Sequence, residues 1–184
     1  RSINMANALN LAGLIKYEQG QVDQAAADFQ QGIRQFDQLL TTDSENPDYL
    51  QSRAALLISL ALTMRSRGDT GAEARAYRLA LESYELLVAV LPDIPIYSEA
   101  LAITLVDLGQ LEFQVDDLAS ATKSLSRATA IYRTLQSRSS LPSTREGLAT
   151  STQMLGRCFL SRGELETARE QMRTSVQLFT GLVE

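Results

Sequence analysis

The apolar and polar positions of this chain fall into helical stripes. Ala25, Phe29, Gly32, Phe36 and Leu39 follow one another at steps of 4, 3, 4 and 3 residues, the spacing of one helix face and not the alternation of a strand. Ahead of them, Ala6, Leu9, Ala12 and Gly13 recur at intervals of three and four. Gly20 lies between the two stripes, where a left-handed residue closes one helix before the next begins. A hairpin of two helices is therefore predicted over about residues 1–46.

The same hairpin then recurs. Pro47, Pro95 and Pro142 are 48 and 47 residues apart, and that offset aligns the rest of the chain. Ala6, Ala54, Ala102 and Ala149 share a column, as do Leu9, Leu57, Leu105 and Thr152. The turn column reads Gly20, Gly68, Asp116 and Gly163. In the second helix, Ala25, Glu73, Ala121 and Ala168 are followed by Phe29, Tyr77, Leu125 and Met172, then by Gly32, Ala80, Ala128 and Ser175. Phe36, Tyr84, Tyr132 and Phe179 are all aromatic, and Leu39, Leu87, Leu135 and Leu182 are all leucine.

Four units result, about 1–46, 47–94, 95–141 and 142–184, forming one all-α repeat domain of about eight helices. Each proline opens a first helix, where a missing N–H costs nothing. Asn46 is a suitable N-cap, and Ser143 with Glu146 reads as a capping box. The segment Leu91-Pro92-Asp93-Ile94-Pro95 is read as a tight joint between hairpins, neither a linker nor a proline-rich ligand. Gly13, Gly109 and Gly156 are expected to meet Gly32, Ala128 and Ser175 where the helices of a hairpin cross closely.

On these residues the unit resembles the tetratricopeptide repeat: Leu105, Leu108-Gly109, then Ala121, Leu125 and Ala128 in the third unit, with Leu9, Ala12-Gly13, Gly20, Ala25, Phe29 and Gly32 in the first. The resemblance implies a right-handed α-solenoid and a non-catalytic role in binding proteins or peptides. Its unit is longer than the family's usual length of about 34 residues, and the extra length falls after the second small position, lengthening the second helix. Long units such as Pro95-Ile96-Tyr97 with Leu101-Ala102 also resemble arrays in large bacterial regulatory proteins, some C-terminal to serine/threonine kinase domains. No kinase motif occurs in this chain.

The resemblance implies a concave face lined by the first helices. Its groove positions correspond to Asn7, Asn10, Leu14 and Tyr17 in the first unit and to Ile58, Leu62 and Arg65 in the second. They correspond to Ile103, Val106, Gln110 and Phe113 in the third and to Gln153 and Arg157 in the fourth. The centre of this row is apolar, with Arg65 and Arg157 placed to pair with acidic groups. A carboxylate clamp for acidic chaperone tails does not fit, since the matching positions hold Asn10, Leu14, Ser59, Ile103 and Asp107. A sensor domain that binds a small ligand or self-associates through the array ends is the alternative reading.

Composition narrows the chemistry. A net charge of −5 argues against nucleic acid as partner. With 0 His and 1 Cys, neither a Ser-His-Asp mechanism nor a His- or Cys-ligated metal site is available, and no cofactor or catalytic residue is expected. Cys158 reads as a small core residue. Asp116-Asp117 reads as a cap on the following helix. The longest apolar stretch, residues 55–64, is too short to span a membrane. The chain begins at Arg1, and the proline spacing puts the next joint near residue 190, beyond Glu184. A piece of a longer, continuing array is expected, on the cytoplasmic side.

Overall fold

The computed structural model describes residues 2–138 and 142–181. Among them are eight helices and no strand: α1 (Ser2–Glu18), α2 (Val22–Leu40), α3 (Pro47–Ser66), α4 (Thr70–Val90), α5 (Pro95–Gln114), α6 (Leu118–Arg138), α7 (Pro142–Ser161) and α8 (Leu165–Thr180). The all-α repeat expectation is met. The chain divides into two compact units, residues 1–93 and 94–184, with the division inside the Leu91–Pro95 joint. In the first, α1 packs on α2, α2 on α3 and α3 on α4, and α1 also touches α3. In the second, α5, α6, α7 and α8 pack in the same succession and α5 touches α7.

The turn column behaves as its sequence requires. Gly20, Gly68 and Gly163 have φ of 76°, 71° and 78°, and Asp116 takes the same left-handed conformation at φ 63°. Asp is one of the few side-chain-bearing residues that tolerates this region, because its short polar side chain bonds locally. Its neighbour Asp117 accepts the Ser120 backbone N–H at 3.1 Å. Asp117 thus caps α6 while Asp116 makes the turn.

The proline column also holds. Pro47, Pro95 and Pro142 are the first residues of α3, α5 and α7. Asn46 caps α3, accepting from the backbone N–H groups of Asp48 and Tyr49 at 3.1 and 3.3 Å. At α7 the capping-box reading fails, because Ser143 lies in the first turn, one residue past Pro142. The cap position falls on Leu141, outside the described residues.

Ala6, Ala54, Ala102 and Ala149 are all fully buried. The expected crossing of small residue on small residue is only half right. A Cβ at Gly13 would meet the Phe29 ring at 2.5 Å, and one at Gly109 would meet Leu125 Cγ at 2.7 Å. These glycines therefore receive the large side chain of the facing helix. Small residues do meet elsewhere: a Cβ at Gly32 would lie 3.5 Å from the Ala6 carbonyl, and Ser175 donates to the Ala149 carbonyl at 2.9 Å. In the first and fourth units the second small position thus packs on the buried alanine, while Gly13, Gly109 and Gly156 make room for Phe29, Leu125 and Met172. The added length of the unit is shared. α4 runs past Ala80 to Val90, and α3 begins seven residues before Ala54, at Pro47.

Candidate functional site

Within each compact unit the two first helices touch each other, α1 with α3 and α5 with α7. Their remaining faces form a surface built from equivalent repeat positions.

In the 1–93 unit, Asn7 is exposed and Asn10 half-buried, with its Oδ1 lacking a hydrogen-bond partner among the described residues. Leu14 and Leu62 are exposed at 41% and 39%. Tyr17 is half-buried, and its hydroxyl bonds Ser66 Oγ at 2.7 Å, joining α1 to α3. Ile58 packs against the core of Phe29, Phe36 and Leu57. Leu14 and Leu62 are thus the accessible apolar members, and Ile58 is largely structural.

Arg65 has a different task from that of receiving an external acid. Its Nε pairs with Glu73 Oε1 at 2.7 Å and its Nη2 donates to Tyr77 Oη at 2.8 Å. Glu73 occupies the column held by Ala25, Ala121 and Ala168, and its side chain is 3% exposed. A buried carboxylate needs both a counter-charge and hydrogen bonds, and Arg65 supplies them.

In the 94–184 unit, Ile103 and Gln110 are exposed, while Val106 and Phe113 are half-buried against the α6–α7 core. Gln153 is exposed. The Arg157 guanidinium stacks over the Phe113 ring at 4.8 Å and its Nη1 contacts Met154 Sδ. This cation–π contact ties α7 to α5. Cys158 is fully buried, and burial pushes its thiol up, so it is the small core residue expected.

A cleft of about 260 Å³ opens beside Ile103 and Val106. Glu99, Asp107 and Glu146 stand on its rim and Tyr132 lines its floor. Burial, together with the nearby carboxylates of Glu99 and Asp107, pushes the Tyr132 phenol up to about 12. Sequence reasoning took Tyr132 as one member of an aromatic column, read Glu146 only as part of a capping box and passed over Glu99. The signal was available: Glu99 and Glu146 occupy the same repeat position, where the earlier units carry Ile3 and Gln51. Among the described residues no group of carboxylates converges to hold a metal ion, and no helix is long and apolar enough to cross a membrane.

No family model matches the sequence, and no curated protein matches it. Solved structures do. BtubC from P. vanneervenii superposes over 99% of this chain and 66% of its own, at 17% identity and a TM-score of 0.76. The apo form of RapI superposes over 97% of this chain and 43% of its own, at 14% identity and a TM-score of 0.68. The nearly identical TPR-like repeats of an inferred kinesin light chain from Podosopora anserina superpose over 97% of this chain and 96% of theirs, at 18% identity and a TM-score of 0.49. The chain is similar in fold to TPR-like repeat proteins, and it spans less than two thirds of the length of the first two.

Proposed function

We propose that this chain is a non-catalytic scaffold that holds a segment of a protein partner on the first-helix faces of its repeats. The observation that carries the reading is the exposure of Leu14, Leu62 and Ile103, at 41%, 39% and 49%, on helices whose other sides are already packed. In the 1–93 unit Leu14 and Leu62 occupy equivalent repeat positions, with the exposed Asn7 also on α1, and in the 94–184 unit Ile103 shares α5 with the exposed Gln110. Exposed apolar groups with polar ones beside them are the make-up of a protein-binding surface. The two arginines of these faces make internal contacts, Arg65 with Glu73 and Arg157 with Phe113.

The fold similarity to TPR-like repeat proteins supports a scaffold, and the net charge of −5 supports protein over nucleic acid as partner. The unit length supports a place within a larger bacterial regulatory protein. Selection of peptides from a random displayed library on the immobilised chain tests the proposal. Peptides are expected to enrich and to lose binding to Leu62→Asp and Ile103→Asp chains that melt as the parent does. Ile58→Asp and Val106→Asp are unsuitable, because both residues pack against the core. Absence of enrichment, or binding indifferent to both substitutions, would overturn it. A change of mass by light scattering in these variants would instead point to self-association.

A further inference from the structure

The cleft between α5 and α7 has chemistry that a general peptide surface does not require. Tyr132 is 3% exposed and lines the opening, yet its hydroxyl has no hydrogen-bond partner among the described residues. The hydroxyl is left to bond a group that enters the cleft. The carboxylates of Glu99 and Asp107 act on this phenol, Glu146 lines the same cleft, and no Lys or Arg lines it among the described residues. Glu99 and Glu146 have no ion-pair partner among the described residues. Ile103 and Val106 form an apolar wall beside them. Gly147 makes room for the Tyr132 ring, since a Cβ there would come within 2.7 Å of the Tyr132 hydroxyl.

We infer that this cleft takes a lysine or arginine side chain from the bound partner segment. The aliphatic stem lies along Ile103 and Val106, and the charged head donates to the rim carboxylates and to the Tyr132 hydroxyl. The shape and the charge select the occupant together. A neutral apolar side chain would leave the phenol and the carboxylates of Glu99 and Glu146 desolvated without a new partner, which is costly. A metal ion is a poor match, because the carboxylates do not converge to hold one. A long cationic side chain has both the apolar stem and the reach. Charge complementarity of this kind fixes register and excludes wrong partners. The inference rests on the protein-binding reading above.

The test is an NMR titration of the full ¹⁵N-labelled chain with N-acetyl-lysine amide, N-acetyl-arginine amide and, as neutral control, N-acetyl-norleucine amide. The cationic probes are expected to shift amide signals of residues 99–107 and 146–150, and norleucine is not. Glu99→Gln with Glu146→Gln should weaken the cationic probes by about tenfold. Glu146 is exposed, so Glu146→Gln alone keeps the test available if the double variant fails to fold. Equal response to norleucine, or cationic binding unchanged in the glutamine variants, would overturn the inference. Binding of spermidine with no response to either amino-acid amide would overturn the assignment to a protein side chain. Library peptides that depend on Ile103 but show no preference for Lys or Arg would refute this inference and leave the scaffold reading standing.

Discussion

Arg65 Nε lies 2.7 Å from Glu73 Oε1, and the carboxylate it neutralises sits where every other repeat carries alanine. Removing the cation leaves a buried charge without its partner. Arg65→Met is therefore expected to lower stability by about 2–3 kcal/mol, below the range for a fully buried pair because the Arg65 side chain is 46% exposed. The double variant with Glu73→Ala, which restores the repeat's own residue, should recover most of the loss. Denaturant unfolding of the four combinations measures the coupling, and a silent Arg65→Met would contradict the assignment.

Gly109 receives Leu125, with only 2.7 Å between an added Cβ and Leu125 Cγ. Gly109→Leu should cost about 1–3 kcal/mol by overpacking. Gly109→Ala should already be destabilising despite alanine's better helix propensity. A thermal melt of either variant that matches the parent would show that α5 and α6 do not approach as described.

Two adjacent acids at the turn between α5 and α6 should respond in opposite directions. Asp116 is left-handed at φ 63°, so Asp116→Gly should be neutral or stabilising by up to about 1 kcal/mol. Asp117 caps α6, so Asp117→Ala should cost about 1 kcal/mol. Chemical denaturation of both variants checks the pair. Equal losses would contradict the division of roles.

Tyr132 makes stability depend on alkaline pH. Burial and the nearby carboxylates push its phenol from the ordinary 10.0 up to about 12 in the folded chain, so the unfolded chain loses this proton first. The corresponding stability is fully present below pH 10.0 and is lost as pH rises from 10.0 towards about 12. Tyr132→Phe should flatten that fall and remove the late component of the tyrosinate absorbance titration. Tyr84, also raised by burial, contributes in the same direction and remains in the variant. An unchanged late component would contradict the environment assigned to Tyr132.

The repeat was legible because each column reports a demand that recurs in every hairpin. Proline starts a helix, glycine turns left-handed, and alanine fits a close approach. Departures from the columns were harder to read, since their meaning depends on which side chain faces them. Glu73 in an alanine column is explained only by Arg65 from the preceding helix. Gly13 and Gly109 show a need for space, but not that Phe29 and Leu125 fill it. The cleft at Tyr132 combines α5, α6 and α7, so its carboxylates are separated along the chain and no local motif joins them. Their shared repeat position was the trace left in the sequence.

The central claim is that a partner segment lies on the first helices. Amide hydrogen exchange of the full chain, with and without a library-selected peptide, tests it most directly. Added protection is expected on the first helices, at α1 and α3 around Leu14 and Leu62 or at α5 and α7 around Ile103 and Glu146. Protection confined to the second helices α2, α4, α6 and α8, with the first helices unchanged, would contradict the account.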